Sequence, residues 1–367
     1  MFIKKNKNSR QSYFMNLALM QASKSLGNTK TNPSVGCVIV KNNAVVGAGH
    51  TGYNGTPHAE KNAIFFNKKD VKKSSLYSTL EPCSNYGKTR PCVNIIIKSK
   101  IKRVFFAVND PDIRSYKKSK KKFKDANIYV KSDVNNSQSN FFYRSYIQFK
   151  KKRLPFVTGK LAVSRDFYTI NKKKKWITNK YSRGRVHLLR SSHDCLLTSS
   201  TTIIKDNPNL TCRINGLSHT SPARIILDKN LKVSTNSKII RSAKKFKTII
   251  FFNNNNFKKI NILKIFGVKL HKLPLDDSKK FILLDVLKKI QSLGFSRIFL
   301  ESGIKLTEAF LKNSLVDDFH LFISKEKLGS NGKNNFKKYM KFFPNRKKIA
   351  NNKVNLLGDN LLSYRLK

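Results

Sequence analysis

Four residues have types and spacings that could do chemistry: His58 and Glu60 in HAEKNAI, and Cys83 and Cys92 at the ends of CSNYGKTRPC. Two thiols across a short, turn-rich segment can form a disulfide, close on a metal, or stand together by chance. A disulfide is the weakest reading, because five cysteines in 367 residues lack the dense, even pattern of a stapled secreted domain. One imidazole and two thiolates, in contrast, supply three zinc ligands and leave the fourth tetrahedral position open to water. Zinc brings the pKa of such a water to about 7, and Glu60 could take its proton and return it to a departing amine. Alone, H-x-E reads as an ordinary histidine followed by an acid favoured at a helix start. Its company, E-P-C (Glu81 to Cys83) and then Cys92, gives it weight.

Elements that could position these residues are legible around them. A helical pattern over Tyr13–Leu26 leads into strands Val35–Val40 and Ala44–Gly49, joined by a turn at Asn42-Asn43. A helix starts near His58, a strand covers Ser75–Leu80, a helix runs from about Cys92 to Lys98, and Arg103–Val108 is a further strand. Strands alternating with helices predict an α/β sandwich. Between about Tyr116 and Leu154 the chain is lysine-rich, with one expected strand at Asn127–Val130 and one helix near Phe141–Phe149. A length of 367 residues exceeds what one core usually supports, and the boundary is expected near 146–154, dividing residues 10–148 from 149–367. The second part holds PFVTGKLAVS, a helix around Tyr181–Ser191, the strands CLLTSS, ARIILD, KTIIFF and VKLHKL, a helix from about Phe281 to Leu293, and the strand RIFLES. The Asn/Lys runs around 253–262 and 331–338 read as solvated loops.

The charge balance, Lys+Arg 75 against Asp+Glu 20 for a net +55, would ordinarily point to a polyanionic partner. The lysines are spread through the chain beside asparagines, without an arginine-rich arm or an RNP-type motif, so no specific nucleic-acid partner is expected. Salt-sensitive, non-selective binding is the expected side effect. The basic N-terminal stretch is interrupted by Asn16 and lacks a convincing cleavage site, and no apolar run approaches a membrane span. A cytoplasmic protein with reduced thiols and no membrane partner follows as the expectation. Oligomeric state is not legible, and a homo-oligomer is left open. Cys37 and Cys195, in apolar runs, are expected core thiols; Cys212 is left unassigned.

H-A-E, a strand ending in E-P-C and a second cysteine resemble the cytidine-deaminase-like zinc deaminases, whose general signature is H-x-E…P-C-x-x-C. Here the second cysteine follows after eight residues instead of two. That insert, with TNPSVGCVIV (Thr31 to Val40), GAGH (Gly47 to His50) and AVNDPD (Ala107 to Asp112), is similar to the deaminase domain of the bifunctional riboflavin-biosynthesis family. WIT (Trp176 to Thr178), Arg185 to Arg213, ARIILD (Ala223 to Asp228) and IFLESGIKLTEAFL (Ile298 to Leu311) resemble that family's reductase domain.

The resemblance implies a cytidine-deaminase-like three-layer domain followed by a dihydrofolate-reductase-like α/β domain, with zinc and NADPH as cofactors. It places zinc on His58, Cys83 and Cys92, proton transfer on Glu60, and the pyrimidine pocket at Asn32 and His50, with the loop Asn85–Arg90 closing over a phosphorylated pyrimidine. It places cofactor contacts at Ala162, Trp176, Thr178, Thr202, Asp206 and Gly303, and reductase substrate contacts at Arg190, Leu210, Arg213 and Glu301. The implied reactions are hydrolytic deamination of 2,5-diamino-6-ribosylamino-4(3H)-pyrimidinone 5′-phosphate and NADPH-dependent reduction of its ribosyl group to ribityl. The chain departs from the family pattern at Phe167, where S-L-D-G has glycine, at Lys174 in the KKKK ahead of Trp176, and at Asn207, where D-D-P has an acid. It also departs at Ile304, where proline is usual, and at IRSYKKSKKK, which replaces a V-A-G-K-G-like segment. Two other readings stand beside this one: a deaminase whose reductase half is silent and structural, and a nucleic-acid deaminase. The long cysteine spacing and the lack of an aromatic-basic recognition motif argue against the latter.

Overall fold

Asn42 and Asn43 both take left-handed backbone, φ 49° and 66°, the geometry of a two-residue hairpin turn, so Gly36–Lys41 (β1) reverses directly into Ala44–His50 (β2). The computed structural model describes residues 7–65, 71–87, 89–343 and 354–367, and the chain divides into two units at 153/154.

The first unit begins with α1 (Lys7–Ser23), followed by the hairpin and α2 (Ala59–Phe65), β3 (Ser75–Leu80), α3 (Cys92–Lys98) and β4 (Arg103–Val108). It ends with α4 (Ser119–Asp125), β5 (Tyr129–Lys131) and α5 (Asn136–Lys152). Its sheet runs β2-β1-β3-β4-β5, antiparallel across the first three strands and parallel beyond. Two glycines set the layers. A Cβ on Gly36 would stand 1.9 Å from the Ala18 carbonyl oxygen of α1, and one on Gly49 would stand 2.5 Å from the Ala63 nitrogen of α2. Gly36 pairs with His50 and Cys37 with Gly49; alternate residues face opposite sides, so α1 and α2 cover opposite faces of the sheet.

The helix at the chain start ends at Ser23, short of Leu26, and α4 was not expected. In SKKKFKD only Phe123 is a buried apolar residue, too little to give a helical period. Helix α5 runs through Lys152, so a division at 148/149 would cut a helix; the break falls after it, at 153/154.

The second unit contains β6 (Phe156–Val163), β7 (Tyr168–Asn171), α6 (Lys180–Ser191), β8 (Cys195–Ser199), α7 (Ser200–Asp206), β9 (Ala223–Leu227), α8 (Lys238–Arg241) and β10 (Thr248–Phe252). It continues with α9 (Phe257–Ile265), β11 (Lys269–Lys272), α10 (Leu283–Ser292), β12 (Arg297–Glu301), α11 (Ile304–Lys312), β13 (Asp318–Ile323), β14 (Gly332–Asn335) and β15 (Asn360–Arg365). The large sheet runs β11-β10-β9-β8-β12-β6-β13-β15 and is parallel except at its β13/β15 edge. Continuous apolar strands suit a sheet covered on both faces. Ile225, Ile249, Phe251 and Leu300 belong to the core on one side, and Leu196, Ile226, Ile250 and Phe299 to the core on the other. Cys37, Cys195 and Cys212 are buried free thiols.

The departures from the family pattern have local explanations. Phe167 takes φ 67° in the turn between β6 and β7, where its N–H donates to the Ser164 carbonyl and its own carbonyl accepts from Phe336. Glycine therefore suits that position through the turn's left-handed backbone, a different reason from close approach of a ligand. Asn207, at φ 39°, is the C-cap of α7, a place asparagine tolerates. Lys174 pairs with Glu326 at an exposed 3.6 Å contact.

Candidate active sites

In the first unit, His58 sits at the entrance to α2, where its carbonyl accepts from the Asn62 N–H. Cys83 follows β3, and Cys92 opens α3. The imidazole Nδ1 lies 3.3 Å from Cys92 Sγ and 3.5 Å from Cys83 Sγ, and all three ligand atoms lie within 4.8 Å of one another. With ordinary Zn–N and Zn–S bonds, a tetrahedral angle places nitrogen and sulfur about 3.5 Å apart, so the residues fit zinc. The Cys92 N–H donates to Cys83 Sγ at 3.3 Å. A hydrogen bond from the Cys92 thiol, helped by His58, holds the Cys83 thiol down to about 4, while Cys92, which keeps that proton, is pushed up. A cation takes the place of this shared proton naturally.

Glu60 is buried in the first turn of α2, and its carboxylate accepts from Ser78 Oγ of β3 at 3.1 Å. Burial raises its pKa, and the neighbouring Cys83 adds to the rise. That is the environment of an acid that must both take and give a proton near neutral pH.

His50 ends β2, and its carbonyl accepts from Asn62 Nδ2 of α2 at 2.7 Å. Its imidazole is lowered by burial and then by Lys24, so it is neutral near pH 7. Asn32 donates from Nδ2 to the Gly55 carbonyl at 3.0 Å. In the expected loop, Lys88 lies outside the described residues, while Asn85 Oδ1 accepts from Ser115 Oγ.

Sequence reasoning quoted Glu81 only as part of E-P-C. In the structure it is buried and accepts from the N–H groups of Asp110, Lys117 and Ser119 and from Ser119 Oγ, at 3.2, 3.0, 3.1 and 2.7 Å. The segment that replaces the family's glycine-containing loop is thus tied down by one carboxylate. Among the described residues, Ser84 Oγ and Asn109 Oδ1 are buried without a hydrogen-bond partner; both lie in stretches quoted from the sequence, but neither was singled out.

In the second unit, Glu301, Thr202 and Gly303 lie at or just past the carboxyl ends of the parallel strands β12 and β8, where open α/β sheets bind ligands. Glu301 ends β12, opposite Lys160 of β6. Arg190 of α6 does not stand free: Nε and Nη2 grip Glu301 at 2.8 and 2.9 Å, and Nη1 donates to the Thr211 carbonyl at 3.0 Å. Lys160 Nζ lies 3.7 Å from the same carboxylate. Burial opposes ionisation of Glu301, yet Arg190 and Lys160 together hold its carboxyl down to about 2. His187 Nδ1 lies 3.0 Å from the Thr211 carbonyl, and burial beside Arg190 and Arg213 lowers the imidazole to about 4. Lys160 and His187 lie in stretches quoted from the sequence but were not singled out, since nothing in those stretches shows which side chains meet around one carboxylate.

Arg213 is exposed, and its N–H reaches His187 Nδ1 at 3.3 Å. Leu210 takes φ 53° and is buried in the apolar cluster with Ile203 and Ile226, so its side chain packs behind the loop. Thr202 Oγ1 meets Ser199 Oγ and Ser302 Oγ at 3.2 and 3.3 Å. The adjacent Gly303 is the N-cap of α11, with open space where a Cβ would sit. Trp176 is 54% exposed, with Arg183 Cζ 4.9 Å from its ring, and Arg183 Nη1 donates to the Thr178 carbonyl at 2.6 Å. Ala162 is partly buried on β6, paired with Phe322, and Asp206 is exposed at the end of α7.

Comparison with known proteins accounts for both units. Residues 8–108 match the cytidine and deoxycytidylate deaminase zinc-binding region, and residues 155–348 match the RibD C-terminal domain. Riboflavin biosynthesis protein RibD of Aquifex aeolicus is 33% identical over 96% of this chain and 97% of that protein. Its namesake from Bacillus amyloliquefaciens is 34% identical over 86% and 84%. The solved Thermotoga maritima diaminohydroxyphosphoribosylaminopyrimidine deaminase/5-amino-6-(5-phosphoribosylamino)uracil reductase superposes with a TM-score of 0.83 at 28% identity, covering 98% of this chain and 99% of that one. The chain therefore belongs to the RibD family of bifunctional riboflavin-biosynthesis enzymes, a zinc-binding deaminase unit followed by a reductase unit.

Proposed function

We propose that the first unit removes an amino group from 2,5-diamino-6-ribosylamino-4(3H)-pyrimidinone 5′-phosphate and that the second reduces the ribosyl group of the product. The observation that supports this most directly is the meeting of His58 Nδ1, Cys83 Sγ and Cys92 Sγ within 4.8 Å, with the buried Glu60 on the same helix turn as His58. Zinc held there supplies a water acidic enough to react near neutral pH. Glu60 accepts a proton from the attacking water and delivers it to the departing ammonia; its raised pKa makes both transfers accessible. Ser78 Oγ fixes the carboxylate from β3. Asn32 and His50 line the pyrimidine, and the unpartnered Ser84 Oγ and Asn109 Oδ1 are available to its polar groups.

In the second unit, NADPH supplies the hydride for reduction of the opened ribose. Trp176 and Thr178, Ala162, the hydroxyls around Thr202, Asp206 and Gly303 contact this cofactor. Arg213 and the Arg190–Glu301–Lys160 group hold the phosphorylated substrate, Leu210 supporting their loop from behind. Exposed Arg213 offers a phosphate its fork, whereas buried Arg190 orients Glu301. An active reductase is favoured over a silent one because Phe167, Lys174 and Asn207 are engaged in a turn, a surface pair and a helix cap, leaving the strand-end cluster complete. Free thiols at the zinc site suit the cytoplasm, and no helix among the described residues is long and apolar enough to cross a membrane.

The test is a mass-resolved product assay on zinc-loaded protein with the diaminopyrimidine substrate, with and without NADPH. Exchange of amino for oxo without NADPH, then gain of two hydrogens with it, is the expected result. Deamination alone would show the second unit to be silent, and the absence of both changes would overturn the substrate assignment.

A further inference from the structure

Helix α6 carries His187 and Arg190 and is preceded by Trp176 and Thr178, yet it has no acidic residue in its first turn. Asn179 caps it, accepting at Oδ1 from the N–H groups of Tyr181 and Ser182 at 2.9 and 3.0 Å. The cap is itself held from far along the chain. Its N–H donates to Asp359 Oδ2 at 2.9 Å, its amide Nδ2 donates to the Leu356 carbonyl at 2.6 Å, and Ser182 Oγ donates to Asp359 Oδ2 at 2.6 Å. Asp359 is 6% exposed and Ser182 is fully buried. A carboxylate placed 180 residues downstream of Asn179 thus occupies the position at the positive end of the helix that a local acid usually fills.

We propose that Asp359 is a positioning residue for the reductase site, fixing the start of α6 and, through it, the Trp176–Thr178 stretch; this rests on the NADPH reading above. The mechanical chain is short. Asp359 precedes β15, which pairs with β13 from Asn360 to Arg365 at the sheet edge, so the carboxylate is anchored to the main sheet. At the other end, Arg183 in the first turn of α6 donates to the Thr178 carbonyl at 2.6 Å and lies 4.9 Å from the Trp176 ring. A shift of the helix start moves both. The acceptors of the tie, Asp359 and the Leu356 carbonyl, lie beyond residues 155–348, the stretch that matches the RibD C-terminal domain, while Asn179 and Ser182 lie within it.

The chain has a single tryptophan, Trp176, so NADPH titration followed by tryptophan fluorescence reads the affected stretch directly. The full-length Asp359→Ala and Asp359→Asn proteins are compared with the parent for NADPH affinity, reductase KM and kcat, deaminase rate and melting temperature. Asp359→Ala is expected to weaken NADPH binding and raise its KM about tenfold, the lower end of what is lost when a hydrogen-bonding partner that orients a metal ligand is removed. Asp359→Asn, which keeps an acceptor oxygen, is expected to recover most of that loss, and the deaminase rate is expected to stay unchanged in both. A lowered melting temperature with NADPH affinity and KM within about twofold of the parent would make Asp359 merely structural and overturn the proposal. Should Asp359→Ala fail to fold, Ser182→Ala removes one donor to the same oxygen, and the same two readouts decide. Absence of NADPH binding by the parent itself overturns the cofactor reading first, and the proposal falls with it.

Discussion

At the scale of single residues, buried carboxylates do the most. Glu60 is held by Ser78 and raised by burial. Replacing it with glutamine preserves size and the hydrogen bond while removing the proton carrier, so Glu60→Gln is expected to lower deaminase kcat by about 10²–10⁴-fold with zinc content and reductase rate unchanged. Metal analysis beside both assays checks this; loss of zinc would instead give Glu60 a structural part in the site. Asp110 has a different use. Its carboxylate accepts from the Asp112 N–H and Tyr146 OH at 3.0 and 3.1 Å, and burial raises it to about 6. The folded chain therefore holds this proton more tightly than the unfolded one, and stability falls as pH rises from about 4 to about 6. Asp110→Asn is expected to flatten that slope and to gain up to about 3 kcal/mol over the parent at pH 7. Calorimetry at pH 4.5 and 7 reads it, and an unchanged difference between the two pH values would refute it.

At the scale of elements, β6 and the end of β12 place Lys160 and Glu301 opposite each other, and α6 brings Arg190 across them. Removing the shared carboxylate leaves two buried cations unbalanced, which typically costs several kcal/mol. Glu301→Gln is expected to lower reductase kcat/KM at least about 100-fold, equal to about 3 kcal/mol, without altering deamination. Parallel kinetic assays of the two reactions check this; a variant with parental reductase kinetics would remove the cluster from the site. Short apolar runs bounded by turn residues were legible: β3, α3 and β4 match their expected residues. α4 and α9 were not, because each buries a single large apolar side chain, Phe123 or Leu263, and contact with the sheet rather than any repeating pattern makes them helices.

At the scale of the whole molecule, +55 charges impose a field that acts on any polyanion. Retention on single-stranded DNA or RNA is expected to fall steeply with salt and to show no base preference. Competition between homopolymers at two salt concentrations measures this; selectivity surviving at high salt would revive a nucleic-acid role.

The residues alone were enough to point to the metal site. H-x-E and the paired cysteines are close in sequence, and a strand-helix alternation of ordinary lengths can bring them to one face, so ligand chemistry and local pattern agree. The strands of each unit were likewise legible as short apolar runs, whereas their order in the sheets was not. Only the tertiary structure showed that Arg190 is spent on Glu301, 111 residues away, that Glu81 pins residues 110–119, and that Asp359 holds the start of α6. Each is a hydrogen bond between side chains and groups distant in the chain. Such bonds leave no period and no spacing in the sequence, since what selects them is the need of a buried charge for a partner once the sheet has closed around it.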